Sequence, residues 1–256
     1  MESALQTLHQ WFSQNYMKLN MAKTQLLVLG STKILKNMEK VTLRLKDFTI
    51  HESDTVRNLG LVMDRHLNYD AHVSSVCRKC TGLLIGLCHV RHSVPRSVLP
   101  TLVSSLVISI IRYCLSIYGS CTKRNLTRLQ RVINFGARVI SGRRRRDHIS
   151  DVIRDLKWLS ASQLHTYHAL CLMRRLLANS EPHSLAQKLV RRHNIRQTQT
   201  RQDDHLDLPL IKTEYGRRRF FYRTADVFNR LPSRISVRRI GAFKRRLRAY
   251  LADAMP

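Results

Sequence analysis

Eight arginines in the middle of the chain are the side chains best suited to bind phosphate. They are Arg124, Arg128, Arg131 and Arg138, followed after Gly142 by Arg143, Arg144, Arg145 and Arg146. The first four recur at a spacing that places residues along one side of a helix, so they form a stripe. Guanidinium groups bind phosphate oxygens strongly without reading bases. The pattern predicts contact with a nucleic-acid backbone; for the run of four arginines, a solvated loop or a nuclear-localisation patch is the alternative.

The charge of the whole chain indicates the same kind of partner. The 256 residues contain 45 Lys and Arg against 17 Asp and Glu, a formal net charge of +28. Residues 1–121 carry 14 basic and 7 acidic residues, and residues 122–256 carry 31 and 10. The positive excess therefore lies in the C-terminal half. We predict nucleic acid, RNA or DNA, as the partner of that half.

Acidic and cysteine residues give weaker candidates for catalysis or metal binding. Asp203-Asp204 lies in a polar stretch, without the rigid apolar strand that a two-metal centre needs. Cys77-x-x-Cys80 with Cys88 could suggest zinc, but structural zinc sites pair two such motifs, and these three cysteines share the apolar side of one predicted helix. We therefore predict that the cysteines pack in the core and that no metal site forms. No P-loop, dinucleotide-binding or nucleophile-elbow motif occurs either.

The N-terminal elements that must position these residues are short. An amphipathic pattern predicts a helix over residues 3–16. Apolar and β-branched residues then predict strands at 25–29, 41–45, 48–50 and 55–64, with a turn at Lys46-Asp47. The alternation of apolar and polar residues predicts a small antiparallel sheet with one buried face. Asp64 is expected in a turn at the end of a strand, and Asp70 at the start of a helix.

The rest of the chain is predicted to be mostly helical. Apolar residues at helical spacing predict helices over about residues 68–92, 99–118, 123–141, 147–156, 160–179, 217–231 and 240–251. The apolar stretch 99–118 is expected to be a buried helix rather than a membrane span, because Arg112 and four serines interrupt it. Residues 191–210 lose periodicity and are expected to be a polar linker.

The order of several short motifs resembles that in reverse transcriptases of non-LTR (LINE, jockey-like) retrotransposons. In the N-terminal part these are Trp11, Asn20-x-x-Lys23-Thr24 and Val56-x-x-Leu59-Gly60, followed by Asp64 and Leu67. In the remainder they are residues 129–134 and 137–142, His148-Ile149, Leu156-x-Trp158-Leu159, Thr200-Arg201, Tyr215-Gly216-Arg217-Arg218-x-Phe220, Asn229-x-Leu231-Pro232 and Phe243-Lys244-x-x-Leu247. The resemblance covers nearly the whole chain. It departs at Phe228-Asn229, where the family usually has Trp-Asn.

The resemblance implies that the chain is the palm edge, thumb and C-terminal region of an RNA-directed DNA polymerase. It places Lys23 near the phosphates of the incoming nucleotide, and Leu59 and Gly60 in the primer grip; a lone lysine such as Lys23 can equally be a solvated turn residue. The family's metal-binding aspartates lie upstream of the residues that match Trp11 and Asn20, so Mg²⁺ would belong to a region absent from this chain. We therefore expect no catalytic residue and no cofactor here, no polymerase activity of this chain alone, retained template-primer binding, and the missing N-terminal part as a partner.

The predicted fold class is α+β, mostly α. A small N-terminal antiparallel sheet (palm edge, residues 1–67) precedes a helical thumb-like bundle (68–190), the polar linker (191–210) and a basic helical C-terminal region (211–256). No secretory signal or dense disulfide pattern is readable, which predicts an intracellular protein, nuclear or cytoplasmic, without membrane attachment. Two alternatives are a stand-alone basic nucleic-acid-binding protein and a decayed reading frame without function.

Overall fold

The computed structural model describes residues 1–45, 48–195, 204–235 and 239–253, and the side chains of all of these except residues 214 and 215. It divides the chain into two compact units, Met1–Ser74 and Ser75–Pro256. Strands lie in the first unit and helices make up most of the second, so the α+β, mostly α, prediction is confirmed. The predicted turn at Lys46-Asp47 lies outside the described residues.

The first unit contains short helices and two β-hairpins. Its elements are α1 (Glu2–Gln14), α2 (Thr32–Lys36), β1 (Thr42–Leu45), β2 (Phe48–His51), β3 (Thr55–Asn58) and β4 (Leu61–Asp64). β1 pairs with β2 and β3 with β4, both antiparallel, as two separate two-stranded sheets. The prediction of a strand at 25–29 was wrong: among the described residues this segment makes a single bridge, from Leu26 to Glu52.

The start of the long helix that follows is organised by Asp64. Its carboxylate accepts hydrogen bonds from the backbone N–H groups of His66, Asn68 and Tyr69. These bonds hold the chain in a turn between β4 and helix α3 (Asp70–Val90). The prediction that Asp64 is a strand-end turn residue is confirmed, and this role gives the carboxylate a structural explanation.

The second unit, in which most of α3 lies, consists of helices. These are α4 (Leu99–Val103), a π-helical turn (Ser104–Ile108), α5 (Ser109–Arg112), α6 (Leu115–Tyr118), α7 (Lys123–Ser141), α8 (Ser150–Asp155), α9 (Ala161–Asn179), α10 (His183–Ala186), α11 (Glu214–Arg218), α12 (Phe220–Asn229) and α13 (Ile240–Asp253). Helix α9 is central, because α6, α7, α12 and α13 all pack against it.

Local sequence explains why α9 begins where it does. The Ser160 hydroxyl accepts a hydrogen bond from the Gln163 backbone, and the Gln163 side chain accepts one from the Ser160 backbone, so the two residues form a capping box. The Gln163 amide also donates to the carbonyl of Leu251 near the end of α13, at 2.6 Å. One side chain thus caps α9 and binds the last turn of α13, fixing the two helices together.

One side of the stretch 99–118 is buried, but Leu106, Tyr113 and Ile117 are exposed, and the stretch is not one continuous helix. It turns at Tyr113 and Cys114, and Cys114 adopts a left-handed conformation with φ of 55°. Breaking the helix leaves the Ile111 carbonyl without a helical partner, and the Tyr118 hydroxyl donates a hydrogen bond to it. Ile111 and Tyr118 are both fully buried. The turn is therefore stabilised by a contact between residues seven positions apart, which helical periodicity does not reveal.

One prediction about the C-terminal helices needs correction. The helix predicted over 217–231 is two helices, α11 and α12, separated at Arg219, where the backbone is extended with ψ of 141°. The described ends of the predicted linker are held in place: Leu206 is buried, and its N–H and carbonyl pair with the side chain of Asn229 at 2.8 and 2.9 Å. Residues 196–203 lie outside the described part of the chain.

Candidate nucleic-acid interface

The structure forms helix α7 over the predicted residues, with both ends capped locally. The Thr122 hydroxyl accepts from the Asn125 backbone at the N-terminus, and Gly142 ends the helix in the left-handed conformation, with φ of 75°. Leu129, Ile133 and Ala137 are fully buried on its inner side. The opposite side is therefore left for the arginines, which is the arrangement that the spacing predicted.

The four arginines of α7 differ in exposure and in their partners. Arg124 and Arg131 are exposed, and neither forms a hydrogen bond or ion pair with the described residues. Arg128 is half-buried and donates to the side chain of Asn125, a fully buried residue, at 3.2 Å. Arg138 is half-buried as well. Arg124 and Arg131 are consequently the members of the stripe most available to an external anion.

The structure brings several of these arginines together around one open cavity of about 580 Å³, which we call the basic groove. It is lined by Cys88, Arg91, Arg131, Asn134, Phe135, Arg138, Val139, Arg143 and Arg145. Five of these nine residues are arginines, and none of the lining residues in the described part of the chain is acidic. Such a concave surface, in which arginines predominate, concentrates anions more strongly than scattered surface charges do.

Sequence reasoning missed Arg91 as a member of the basic groove. It follows the end of α3, about forty positions before Arg131, and no spacing rule connects the two. Phe135 was missed too, because on a helix surface a lone aromatic residue is more readily assigned to packing. Only the folded arrangement of α3 and α7 identifies them as neighbours.

The loop after α7 is built by two of the predicted phosphate-binding arginines. Arg138 donates to the carbonyls of Arg144 and Asp147, both at 3.2 Å. Arg143 donates to the carbonyl of His148 at 2.6 Å and forms a bidentate ion pair with Asp151. These two arginines are thus engaged in shaping the wall of the groove, and part of their bonding capacity is used within the chain.

The ion pair also accounts for the unusual acidity of Asp151. Hydrogen bonding from Arg143 lowers the pKa of the Asp151 carboxyl to about 2. The carboxyl therefore stays ionised well below neutral pH.

The other three arginines of the run 143–146 remain available to a ligand. Arg144, Arg145 and Arg146 are exposed, and Arg145 lines the groove. Of the four, Arg143 therefore has a structural role and the other three can contact an external anion.

The three residues placed by the resemblance near nucleotide and primer lie in the first unit. Lys23 ends a single 3₁₀ turn, Met21–Lys23, which Asn20 caps: its side-chain oxygen accepts a hydrogen bond from the Lys23 backbone N–H at 3.2 Å. The spacing Asn-x-x-Lys thus has a simple basis: the asparagine caps the turn that exposes the lysine. Leu59 and Gly60, both with positive φ, form the tight turn between β3 and β4, and Leu59 is 83% exposed.

Acidic residues in the described part of the chain have structural partners or lie apart from one another. Asp204 is exposed and pairs with Arg191 at 3.0 Å, while Asp203 is not described. Within the ranges that the structure describes, no three His, Cys, Asp or Glu side chains are grouped so that they could hold a metal ion. None of the described helices combines the length and hydropathy that a membrane span requires.

The cysteine prediction is correct for one residue and only partly for the others. Cys80 is fully buried, and its thiol lies 3.8 Å from the carbonyl of Val107, whereas Cys77 and Cys88 are half-buried. Burial, with a smaller contribution from Cys77, raises the pKa of the Cys80 thiol to about 11. The thiol is therefore neutral at physiological pH, as expected for a core residue.

Replacing Cys80 by Ala is expected to lower the free energy of unfolding by about 1 to 2 kcal/mol through lost packing, and Cys77→Ala by less. The pKa of Cys80 is higher in the folded chain than in the unfolded chain. The contribution of the buried, neutral thiol to the free energy of unfolding is therefore complete below pH 9 and is lost as the pH rises toward about 11. Urea unfolding at several pH values measures both effects. Stoichiometric zinc that disappears in the Cys77→Ala, Cys80→Ala double variant would contradict this interpretation.

Comparison with known proteins finds no match among family models, curated proteins or solved structures.

Proposed function

We propose that this chain binds nucleic acid through the basic groove and the adjoining stripe of α7, as the palm-edge, thumb and C-terminal part of a non-LTR retrotransposon reverse transcriptase. The observation that supports the proposal is the convergence of five arginines on one open groove whose described lining residues include no Asp or Glu, in a chain of net charge +28. A polyanion that follows a groove is the partner that such a surface favours.

The exposed arginines suit a backbone ligand better than a small anion. Arg124 and Arg131 lie along α7, and Arg145 continues the positive surface onto the loop after it. Arg124 and Arg131 are seven positions apart, about 10.5 Å along the helix axis, a separation that successive phosphates of one strand suit better than a single phosphate does. Because guanidinium–phosphate contacts carry no base information, the binding is expected to be strong and weakly selective.

The assignment to a reverse transcriptase rests on the motif resemblance, and the basic surface is compatible with a stand-alone nucleic-acid-binding protein as well. In the polymerase form of the proposal, Lys23 and the Leu59-Gly60 turn face nucleotide and primer, and the carboxylates that bind Mg²⁺ come from another part of the polymerase. Its ligand is then a template-primer, found in the nucleus or cytoplasm. The chain by itself holds this ligand and does not extend it.

The test is a binding titration by fluorescence anisotropy with a labelled primer–template duplex and a structured RNA. The double variant Arg131→Gln, Arg145→Gln removes two exposed charges of the basic groove and keeps the Arg143–Asp151 ion pair. We expect roughly tenfold or greater loss of affinity at about 0.1 M salt, because two phosphate contacts are lost. The loss should be equal for unrelated sequences, since no base is read.

A matched control removes the same charge elsewhere. Arg217 and Arg239 are exposed and do not line the groove, so Arg217→Gln, Arg239→Gln should bind nearly as tightly as the original chain. An equal loss in both double variants would show that net charge, and not the groove, determines binding. Undetectable binding of the unaltered chain at low salt would overturn the proposal.

A further inference from the structure

A second open cavity, of about 510 Å³, lies between helix α13 and the turn that joins α8 to α9. It is lined by Arg154, Lys157, Trp158, Arg245, Arg248, Ala249, Ala252 and Asp253. None of these residues belongs to the basic groove. We call this cavity the tryptophan groove, since Trp158 is the aromatic residue among its described lining residues.

The wall on α13 follows from the amphipathic sequence of that helix. Phe243, Leu247 and Leu251 are buried on one side. On the other side Arg245, Arg248, Ala249 and Ala252 line the cavity, with the spacing i, i+3, i+4 and i+7 of a single helical face. Ala249 and Ala252, which follow the two arginines on this face, are small and leave room for a flat group to approach the helix.

The other wall is held rigidly by the core. Trp158 is half-buried and packs against a cluster formed by Ala137, Ile149 and Ile153. Its backbone N–H donates to the Ile153 carbonyl at 3.0 Å, and a Cβ added to Gly136 would approach the indole at 3.5 Å. The indole is thus fixed in position by α7 and α8 while another part of its surface lines the cavity.

The charges of the tryptophan groove have little compensation. Four cationic residues line it against one acidic residue, Asp253. None of the four forms an ion pair with the described residues, and the one hydrogen bond from their charged groups is a long one, 3.5 Å from Arg248 to the Lys157 carbonyl. The cavity combines an immobilised aromatic surface with a set of uncompensated cations.

We infer that the tryptophan groove binds one nucleotide unit of a single-stranded nucleic acid, with the base on Trp158 and the flanking phosphates on Arg154, Lys157, Arg245 and Arg248. A flat aromatic surface beside basic residues is what sequence-tolerant single-strand binding requires, because every base has a face that can stack. An acidic peptide would use the cations but not the indole. This inference rests on the proposed nucleic-acid binding and assigns to it a second, single-strand contact separate from the basic groove.

The chain offers a direct optical test. It contains two tryptophans, Trp11 and Trp158, so in the full chain with Trp11→Phe the tryptophan fluorescence reports Trp158 alone. Titration with a single-stranded oligonucleotide of about 12 nucleotides should quench this fluorescence saturably, because the base stacks on the indole. Inorganic phosphate and an oligoglutamate peptide should leave it nearly unchanged. Quenching by oligoglutamate equal to that by the oligonucleotide would overturn the inference.

Two sets of variants separate stacking from charge. The double variant Arg245→Gln, Arg248→Gln should bind single strands roughly tenfold more weakly. At the same oligonucleotide concentrations its Trp158 fluorescence should no longer be quenched. Trp158→Phe should retain most of the affinity, whereas Trp158→Leu should lose roughly tenfold, with melting curves to confirm that each variant folds. Arg217→Gln, Arg239→Gln serves again as the matched control.

The outcomes distinguish this inference from the proposed function. In one outcome, single strands bind and the basic-groove double variant Arg131→Gln, Arg145→Gln weakens this binding, but the oligonucleotide does not quench Trp158 and the double variant Arg245→Gln, Arg248→Gln binds as tightly as the original chain. The tryptophan groove is then not a binding site, and the proposed role of the basic groove is supported. If neither duplex nor single strand binds, both proposals fail. If the single strand quenches Trp158 fluorescence while the basic-groove double variant binds the duplex unchanged, the inference on the tryptophan groove is supported and the proposed duplex interface fails.

Discussion

Binding of a primer–template duplex to this chain is expected to weaken by about a thousandfold between 50 and 200 mM salt. The estimate assumes six phosphate contacts, each adding about −0.9 to the slope of log K against log salt on duplex DNA. The exposed arginines Arg124, Arg131, Arg144, Arg145 and Arg146, with half-buried Arg128, can supply that number. Anisotropy titrations at several salt concentrations measure the slope.

The variant Arg131→Gln, Arg145→Gln should flatten this slope by about two, since two contacts no longer release counterions. Arg217→Gln, Arg239→Gln should leave the slope close to its original value. On single strands each contact counts for about −0.7, so the change should be smaller there. A slope that does not change in the groove variant, even with reduced affinity, would mean that neither Arg131 nor Arg145 touches phosphate.

The largest effect on stability is expected for Gly119→Ala. A Cβ at this position would lie 2.4 to 2.5 Å from the imidazole ring of His165, far inside van der Waals distance. His165 is only 4% exposed, and burial lowers its pKa to about 3, so the ring is neutral and enclosed by α6 and α9. We expect the free energy of unfolding to fall by about 3 kcal/mol, the upper range for overpacking. Urea unfolding followed by circular dichroism measures the change.

Gly86→Ala is the matched control, because Gly86 is an exposed residue of α3 with no atom within 4 Å of an added Cβ. The control should stabilise the helix by about 0.5 to 1 kcal/mol. A double variant identifies the cause in Gly119→Ala: if the clash is with the ring, Gly119→Ala, His165→Ala should be less destabilised than the sum of the single variants. Strict additivity would show that the strain comes from the Leu115 carbonyl, which an added Cβ would also approach at 2.5 Å.

The parts of this protein that the sequence predicted well are those governed by local interactions. Helix α7 is bounded by Thr122 and Gly142, and α9 by the capping box of Ser160 and Gln163. Each of these bonds joins residues at most four positions apart, and helical periodicity operates over the same distance. The mostly helical composition and the arginine stripe were therefore readable without the structure.

The predictions that failed depended on residues more distant in the chain. The helix over 99–118 breaks at Cys114, and the buried Tyr118, seven positions after Ile111, satisfies the Ile111 carbonyl that the break leaves without a helical partner. The segment 25–29 has the composition of a strand, yet it finds no extended partner among the described residues beyond one bridge to Glu52. Strand formation needs a pairing edge, which composition alone does not provide.

By itself, the sequence determined the large positive charge, its concentration in the C-terminal half and the single helical face that carries Arg124, Arg128, Arg131 and Arg138. Only the tertiary structure decided which arginines share a cavity. It joined Arg91 to Arg131 and Arg145, and it engaged Arg143 in an ion pair with Asp151. The reason is physical: charge and periodicity are properties of neighbouring residues, whereas a groove forms where packed helices bring distant residues within reach of one ligand.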